Sequence, residues 1–252
     1  MKNIFETVSQ LAFRIGKKVI TLCTRYREFT SSKVRFELRT QSELATEVRI
    51  ATAGGERQAS PSLEGIRADH RGRYAFAIQF IVQGAQVLDL ACGVGYGSYM
   101  IANRTPCERI VSVDSSKDAI AYASKYYNSP KIDYRLGDCL SIVLEPKGFD
   151  IVLCFETIEH ITNERQLLEK FHQTLKPQGR LLCSTPNQRR IPFSSDTHPF
   201  HLRHYTPEEF MRLLEVSGFH IEQLWSQKNL FSSELTKGWD GLFNIAVCRK
   251  SA

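Results

Sequence analysis

An apolar run that leads directly into three glycines constrains the fold of this 252-residue chain more than any other feature. Residues Gln86–Leu90 have the length and composition of a buried β-strand, and Gly93, Gly95 and Gly97 follow them at intervals of two. Glycines at this place let the backbone turn tightly and approach a ligand at the start of the next helix. In an open sheet of parallel strands, nucleotide-like ligands bind at such a position, beyond the carboxyl end of a strand.

Strand-like and helix-like segments alternate from about residue 63 to the end of the sequence. The strand-like runs are Gln86–Leu90, Arg109–Asp114, Ile132–Arg135, Phe149–Phe155 and Arg180–Ser184, with two more near His220–Trp225 and Leu242–Arg249. Helical stretches lie near 96–104, 117–127, 163–175 and Thr206–Ser217. Because a helix between two strands makes a crossover connection, the pattern predicts an α/β fold with a mostly parallel, seven-stranded sheet and helices on both faces.

Positions 1–62 do not show this alternation of strand-like and helix-like segments. They are interpreted as an N-terminal helical and linker segment before a domain at 63–252. Apolar residues from Ile4 to Leu22 keep a helical spacing with basic residues between them, which predicts a basic amphipathic helix. Positions 30–62 are polar and indicate a weak helix followed by a linker. The amphipathic helix would contact an anionic membrane surface peripherally, or pack on this protein or on a second copy of it.

The distribution of charge and of cysteines indicates which binding partners and which cellular compartment to expect. The formal net charge of +6 comes from residues 1–85, which hold 14 Lys or Arg against 8 Asp or Glu, whereas residues 86–252 hold 19 of each. The neutral part shows no basic stripe with interleaved aromatic residues, so DNA is not an expected partner. Seven scattered cysteines without a Cys-x-x-Cys pair, and a start without a secretory-signal pattern, predict a cytoplasmic protein that lacks disulfides and structural zinc.

The acidic residue before the glycines limits which class of ligand the loop is expected to bind. Asp89 stands shortly before Gly93, and the glycines are spaced Gly-x-Gly-x-Gly rather than in the Gly-x-Gly-x-x-Gly pattern of dinucleotide-binding loops. A pyrophosphate would gain little from a carboxylate at this place, whereas a ligand with an ammonium and a sulfonium group would gain from its charge. The loop therefore favours S-adenosylmethionine.

Further motifs follow the loop in a fixed order, and together they resemble those of the class I S-adenosylmethionine-dependent methyltransferases over about residues 63–252. Asp114 ends the second strand, and Gly137–Cys139 follows the third. Phe149–Glu156 contains the fourth strand, and Leu175–Gly179 is the predicted turn into the fifth. The resemblance implies a Rossmann-like fold and a methyltransferase activity.

The same resemblance implies roles for individual residues. Asp114 would accept hydrogen bonds from both ribose hydroxyls of the cofactor, and Asp138 would meet its adenine amino group; each could instead be a helix cap. Arg73 would pair with the cofactor carboxylate, and Tyr74 would cover the methionine end or pack on the sheet. The full predicted cofactor set is Arg73, Tyr74, Asp89, Ala91, Gly93, Gly95, Asp114, Ser115, Asp138, Cys139 and Phe155.

Two carboxylates and an imidazole, Glu156, Glu159 and His160, stand just beyond the fourth strand. This Glu-x-x-Glu-His resembles the metal-binding motif of small-RNA 3′-end 2′-O-methyltransferases and of ubiquinone-pathway O-methyltransferases. The resemblance implies that Glu156, Glu159, His160 and His201 hold Mg²⁺ or a similar ion, with His204 as the next candidate for the last ligand. Glu156, Glu159 and His160 are also the predicted catalytic residues, because His160 would act as a general base in a site without metal.

The methyl acceptor has three candidate classes, and in all of them the methylated group is a hydroxyl. The order of Arg73-Tyr, Glu-x-x-Glu-His and the later segment His198–Phe210 resembles methyltransferases of polysaccharide and glycan biosynthesis, which implies a sugar hydroxyl. RNA ribose is a second candidate, and a small phenol or quinone precursor is a third, which an apolar pocket lid would favour. Outside these classes, the chain would be a cofactor-binding scaffold without catalysis or a dinucleotide oxidoreductase.

Overall fold

The computed structural model describes residues 57–251 together with Glu43, Thr46 and Ile50. The predicted amphipathic helix of residues 4–22 lies outside the described residues, and so does most of the polar segment 30–62. Among the described helices, none combines the length and the apolar character that a bilayer-spanning segment needs.

One eight-stranded sheet forms the centre of the described structure. Its strands are β1 (Gln86–Leu90), β2 (Arg109–Asp114), β3 (Ile132–Leu136), β4 (Phe149–Phe155), β5 (Leu175–Pro186), β6 (Phe219–Gln227), β7 (Thr236–Lys237) and β8 (Phe243–Lys250). They lie side by side in the order β3-β2-β1-β4-β5-β8-β6-β7. The first five strands are parallel to one another, whereas β8 runs antiparallel to both β5 and β6. The predicted α/β fold with a mostly parallel sheet is confirmed.

Five α-helices lie between positions 57 and 251. They are α1 (Ala68–Ala77), α2 (Tyr96–Arg104), α3 (Lys117–Tyr126), α4 (Glu164–Thr174) and α5 (Pro207–Val216). The hydroxyl of Ser116 caps α3 by accepting a hydrogen bond from the amide of Ala119. At the start of α5, Thr206 and Glu209 form a capping box on either side of the first helical turn. The predicted helix start at Thr206 is therefore confirmed.

Helices cover both faces of the sheet, because successive side chains of its central strands enter two separate hydrophobic clusters. Val87 of β1 lies in one cluster and its neighbour Leu88 in the other, and both are fully buried. The first cluster contains residues of α1, α2 and α3, such as Ile101. The second contains residues of α4 and α5, such as Phe171 and Phe210. This alternation is what a strand covered on two faces requires.

The predicted number of strands is wrong by one. The additional strand, β7, has only two residues, which pair with Trp225 and Ser226 of β6. So short a strand shows no alternation of apolar and polar residues, and a pattern in the sequence cannot reveal it.

The start of β5 also differs from the prediction. Leu175–Gly179 was predicted as a turn into the strand, but Leu175 already pairs with Phe149 of β4. The ladder then shifts register and resumes where Arg180 pairs with Ile151. Gln178, inside the irregular stretch, has a φ angle of 64°. The Lys-Pro-Gln-Gly sequence therefore forms a bulge within the strand rather than a turn before it.

The segment just before residue 63 contacts the domain that follows it. The backbone carbonyl of Ser60 accepts a hydrogen bond of 2.7 Å from the hydroxyl of Tyr127. Ile50 is buried in the first hydrophobic cluster, and Arg57 donates a hydrogen bond to Asp114 at the end of β2. The domain boundary at residue 62 stays a prediction, but these contacts place residues on its N-terminal side against the sheet domain.

Candidate active site

The loop between β1 and α2 turns through left-handed backbone conformations, which glycine adopts more readily than any other residue. Ala91, Gly93 and Gly95 have positive φ angles of 62°, 57° and 82°. Gly97, in the first turn of α2, lies so close to Tyr74 that a Cβ atom on it would overlap with the tyrosine ring. The glycine pattern of the sequence therefore serves a tight turn and a close helix contact.

Asp89 lies beneath this loop, and its side chain is bonded within the protein. Its Oδ1 accepts a hydrogen bond of 3.0 Å from the hydroxyl of Tyr74, and its Oδ2 accepts one of 2.5 Å from Ser98. The residue is 1% exposed, and burial raises the pKa of Asp89 to about 6. The carboxylate fixes α1 and α2 around the loop, and it would act on a cationic ligand through its charge rather than by direct contact.

A cavity of about 310 Å³ opens beside the loop, and we call it the loop cavity. Nine of the eleven predicted cofactor residues line it: Arg73, Tyr74, Ala91, Gly93, Asp114, Ser115, Asp138, Cys139 and Phe155. The other two, Asp89 and Gly95, are not among its lining residues. Motifs from widely separated parts of the sequence therefore meet at one cavity.

Asp114 ties the end of β2 to the glycine loop. Its Oδ2 accepts a hydrogen bond of 2.9 Å from the amide of Gly93. Its Oδ1 accepts one of 2.9 Å from the amide of Ser116 and one of 3.0 Å from Arg57. The N-cap of α3 is Ser116, so the alternative role of Asp114 as the helix cap does not apply.

Asp138 is exposed at the rim of the loop cavity. Its Oδ1 accepts hydrogen bonds of 2.9 and 3.1 Å from the amides of Leu140 and Ser141. These bonds are typical of an aspartate that stabilises a turn, which is close to the capping role considered for it. Because the side chain also borders the cavity, the turn fixes its carboxylate where a ligand could contact it.

Arg73 is a buried cation in the wall of the loop cavity, with 1% of its surface exposed. Its Nη1 donates a hydrogen bond of 2.7 Å to Gln227 and lies 3.6 Å from the carboxylate of Asp69. Its Nη2 is buried and has no hydrogen-bond partner among the described residues. A guanidinium N–H without a partner at the wall of a cavity fits a ligand carboxylate, as predicted for this residue.

A second cavity of about 400 Å³ adjoins the first, and we call it the histidine cavity. Both cavities are lined by Gln58, His70, Glu156 and His160. The remaining lining residues of the histidine cavity are the polar Arg67, Glu159, His198 and His201 and the apolar Pro186, Ile191, Leu230, Leu242 and Phe243. A ligand in one cavity would therefore meet a ligand in the other at these shared residues.

Glu156 stands at the junction in an uncommon backbone conformation, with a φ angle of 51°. Its amide donates a hydrogen bond of 3.2 Å to the carbonyl of Ser184, and its Oε1 accepts one of 2.6 Å from the hydroxyl of the same serine. Burial raises the pKa of Glu156. The neighbouring strand β5 thus holds this strained residue at the end of β4.

Glu159 is fully buried beside the histidine cavity. Its Oε2 accepts a hydrogen bond of 3.2 Å from Thr185, while its Oε1 has no partner among the described residues. Burial, and then the neighbouring Glu156 carboxylate, raise the pKa of Glu159 well above its usual range. A buried carboxylate oxygen without a donor is the kind of group that a bound cation satisfies.

Two histidines complete this cluster. Nδ1 of His160 lies 2.8 Å from the carbonyl of Phe200 and donates to it, so Nε2 carries the lone pair. Nδ1 of His201 lies 2.6 Å from Nε2 of His204. Burial, and then the neighbouring histidines, lower the pKa of His201 to about 3, so its imidazole is neutral at pH 7, the form that binds metals.

Three of the four predicted metal ligands converge. Glu159, His160 and His201 each offer one ligand atom, and these atoms all lie within 4.8 Å of one another. Glu156 does not belong to this group, because its side chain is turned to Ser184. Carboxylate and imidazole donors suit a divalent ion of the first transition series, and Mg²⁺ if water supplies further ligands. The donor set therefore fits a cation, which stays a prediction.

Several known methyltransferases are related to this chain in sequence. Residues 88–183 match the model of the methyltransferase domain family. A probable S-adenosylmethionine-dependent methyltransferase of Mycolicibacterium smegmatis is 36% identical over 143 residues, which cover 55% of this chain and 53% of that protein. A ubiquinone biosynthesis O-methyltransferase of Coxiella burnetii is 25% identical over 175 residues, which cover 60% of this chain and 74% of that protein. The chain thus spans about half the length of the first of these relatives.

The fold has solved counterparts as well. An S-adenosylmethionine-dependent methyltransferase of Mesorhizobium loti superposes with a TM-score of 0.60 at 16% identity, covering 73% of this chain and 100% of that one. Residues 88–183 therefore match the methyltransferase domain family in sequence, and the fold around them is that of an S-adenosylmethionine-dependent methyltransferase. S-adenosylmethionine is the methyl donor of this family, and the predicted Rossmann-like fold is confirmed.

Several residues of the candidate site are not predicted by the sequence. Arg57 and Gln58 precede the predicted domain, and nothing in the sequence around them signals a site. His70 lies one helical turn before Arg73 on α1, so the spacing i, i+3 could have found it. Thr185, the partner of Glu159, lies at the end of β5, and no motif around it in the sequence signals a site.

Proposed function

We propose that this chain transfers the methyl group of S-adenosylmethionine to a hydroxyl oxygen of a small acceptor, with the cofactor in the loop cavity and the acceptor in the histidine cavity. The observation that carries the proposal is the junction of the two cavities at Glu156 and His160. Two reactants held on either side of such a junction are oriented for a direct displacement, which removes much of the entropic barrier. Relatives named as O-methyltransferases support oxygen as the methylated atom.

The loop cavity offers a partner for each part of the cofactor. Nη2 of Arg73 would bind the carboxylate, and the charge of Asp89 would favour the cationic end. Asp114 would accept hydrogen bonds from the ribose hydroxyls. Since Arg57 already donates to one oxygen of Asp114, ribose binding would compete with that contact.

The histidine cavity would hold a divalent cation through Glu159, His160 and His201. The cation would give Oε1 of Glu159 the partner that it lacks among the described residues, and it would meet ring nitrogens that carry lone pairs. When bound, such an ion lowers the pKa of a hydroxyl that it contacts. Glu156, at the junction, would accept a hydrogen bond from the acceptor and orient its oxygen toward the loop cavity.

A site without metal is the competing arrangement, and it gives His160 a different role. Because Nδ1 of His160 donates to the carbonyl of Phe200, its Nε2 can accept the proton of an acceptor hydroxyl. In this arrangement the imidazole is a general base, and turnover does not depend on any ion.

The lining of the histidine cavity favours a small phenol or quinone precursor among the three acceptor classes. Five apolar side chains line it and make much of its surface suitable for an aromatic acceptor: Pro186, Ile191, Leu230, Leu242 and Phe243. An aromatic ring packs on such a surface without loss of hydrogen bonds. A sugar hydroxyl is the second candidate, because Gln58, Arg67 and His70 supply polar contacts in the same cavity.

Metal removal separates the two roles of His160. The purified protein is treated exhaustively with a chelator, and methyl transfer from labelled S-adenosylmethionine is measured before and after Mg²⁺ or Mn²⁺ is restored. We expect turnover to vanish and return with the ion, while the thermal shift caused by S-adenosylhomocysteine persists throughout. Unchanged turnover after metal removal would exclude the cation and leave His160 as the base.

An acceptor panel tests the rest of the proposal. Phenols with one and two adjacent hydroxyls, nucleotide sugars and short RNA are each incubated with the labelled cofactor. We expect methylation of the phenols, and labelling of only the sugars or only the RNA would transfer the proposal to that class. A protein that is stabilised by S-adenosylhomocysteine but labels no acceptor would be a scaffold, and one stabilised by NAD(H) instead would be an oxidoreductase.

A further inference from the structure

We infer that His204 is a positioning residue that fixes the ring tautomer of His201, so that Nε2 of His201 carries the lone pair available to a cation held with Glu159 and His160. The inference deepens the proposed function, because its consequence for cation binding rests on the cluster of Glu159, His160 and His201 described above. It concerns a side chain that lines neither the loop cavity nor the histidine cavity.

A chain of hydrogen bonds that begins at a backbone carbonyl determines where the ring protons lie. Nδ1 of His204 is 2.6 Å from the carbonyl of Ile191, which can only accept, so Nδ1 carries a hydrogen. With one proton per ring, Nε2 of His204 then has the lone pair. Nδ1 of His201, at 2.6 Å from that nitrogen, must donate to it. The lone pair of His201 is therefore on Nε2.

The origin of this chain is held rigidly by the surrounding backbone. The amide of Ile191 donates a hydrogen bond of 2.8 Å to the carbonyl of Asn187, at the turn that follows β5. Asn187 in turn forms a bridge with Tyr205, the residue after His204. His204 is 7% exposed, and its ring contacts Phe193 at 5.6 Å between centroids. A histidine fixed in this way can impose its own tautomer on a neighbour.

The two imidazoles of the cluster are therefore oriented by different means. His160 donates its Nδ1 hydrogen to a backbone carbonyl, that of Phe200, which no substitution removes. His201 donates to a side chain, so one substitution at His204 removes its acceptor. This asymmetry makes the role of His204 accessible to experiment while the rest of the cluster stays unchanged.

Two substitutions separate the acceptor from the ring shape. In His204→Phe the ring remains and can pack against Phe193, but it offers no lone pair to His201. In His204→Gln the amide oxygen stands near the former Nε2 and can accept the same hydrogen. His220→Gln, at an exposed histidine on β6, is the matched control for loss of an imidazole. Thermal stabilisation by S-adenosylhomocysteine verifies that each variant is folded.

The first measurement is the tautomer itself, from long-range ¹H–¹⁵N NMR spectra of the histidine rings in metal-free protein. We expect the resonance of His201 Nδ1 to be that of a protonated nitrogen in the wild type and in the Gln variant. In the Phe variant we expect the proton to distribute over both nitrogens. A wild-type His201 with its proton on Nε2 would overturn the inference without any variant, and so would an unchanged tautomer in the Phe variant.

The second measurement is calorimetric titration with Mn²⁺ alone. Loss of a group that orients a metal ligand typically weakens metal affinity about 10- to 100-fold, so we expect this loss in the Phe variant and near wild-type binding in the Gln variant and the control. Equal Mn²⁺ affinity in wild type and Phe variant would overturn the consequence for cation binding. A wild type that binds no Mn²⁺ but shows the expected tautomers would support the role of His204 and remove the cation from the proposed function.

Discussion

The two cavities differ in how far their acidic groups are already bonded by the protein. In the loop cavity and beneath it, Asp89, Asp114 and Asp138 all accept hydrogen bonds from hydroxyl or amide groups of the protein. In the histidine cavity, Glu159 keeps one buried carboxylate oxygen without a partner in the described part of the chain, and burial raises its pKa. The acids of the loop cavity are bonded before a ligand arrives, whereas the histidine cavity contains an acid whose bonding a ligand would have to complete.

This difference indicates where binding and where chemistry reside. Carboxylates that fix the glycine loop hold a binding surface in one shape, which reduces the ordering cost of cofactor binding. Buried acids with raised pKa values and neutral histidines are the arrangement found at reacting centres. We therefore expect substitutions around the loop cavity to change affinity or stability, and substitutions in the histidine cavity to change turnover.

The largest expected effect is that of His160→Ala on turnover. The variant lacks the imidazole whether it serves as cation ligand or as general base, so the rate constant for methyl transfer should fall about 100- to 10,000-fold. The affinity for S-adenosylhomocysteine, measured by calorimetry, should stay within about threefold of wild type because the contacts to Arg73 and Asp114 remain. His220→Ala, at an exposed position of β6, is the control and should leave both quantities unchanged. Full activity of His160→Ala would contradict the assignment of the chemistry to the histidine cavity.

The next effect concerns stability and its dependence on pH. Folded Asp89 has a pKa of about 6 against an ordinary value of 3.8, so between these values the folded protein keeps a proton that the unfolded chain has lost. The free energy of unfolding should therefore fall as the pH rises from 4 to 6, by roughly 3 kcal/mol, and this contribution should be constant above that window.

Asp89→Asn isolates this contribution. The amide cannot titrate, and its oxygen can still accept the hydrogen bond from Tyr74. Urea unfolding of both proteins at pH 4, 5, 6 and 7 should show the wild type losing stability relative to the variant as the pH rises. Parallel curves for the two proteins would mean that the pKa of Asp89 is the same in the folded and the unfolded protein, so that burial does not favour its protonated form.

Asp114→Ala should reduce cofactor affinity without a comparable loss of turnover at saturation. The variant loses the acceptor for the Gly93 amide and for the ribose hydroxyls, so the dissociation constant of S-adenosylhomocysteine should rise about 10- to 100-fold. Asp133→Ala is the matched control, since this aspartate lies on the neighbouring strand β3 in a half-exposed surface pair with Arg109. A fall in turnover at saturating cofactor would show that the loop cavity also takes part in the chemistry.

The loop cavity was largely predictable because its signals are local. Gln86–Leu90, the glycines and Asp114 form a strand, a turn and a strand end, and each can be recognised within a short stretch of sequence. The same local signals did not reveal how Asp89 is bonded. Its partners Tyr74 and Ser98 come from the helices that precede and follow the strand in the sequence, and no short-range pattern indicates such a contact.

The histidine cavity was predictable in its residue types but not in its geometry. Its residues come from the end of β4, the end of β5 and the segment after Asn187, and their approach depends on backbone contacts such as the amide of Leu202 with the carbonyl of Glu159. Nothing in the spacing of the later histidines indicates which of them reaches Glu159. The apolar residues Leu230, Leu242 and Phe243 could not be recognised as part of a wall, because they follow the histidines only after α5 and β6.

The smallest expected effect, and the most direct test of a specific contact in the loop cavity, is that of Asp138→Asn. The Asn oxygen can still accept from the amides of Leu140 and Ser141, so the turn is kept, but the second carboxylate oxygen becomes an NH₂ group that cannot accept from the adenine amino group. Because the side chain is exposed, water competes for this contact, and the dissociation constant of S-adenosylhomocysteine should rise only about threefold. S-inosylhomocysteine, which has a carbonyl oxygen in place of the amino group, should bind the wild type more weakly and should recover affinity in the variant, whose NH₂ group can donate to it. Equal preference of both proteins for the two ligands would show that Asp138 serves the turn alone, and that the adenine end of the loop cavity is recognised by shape rather than by a carboxylate.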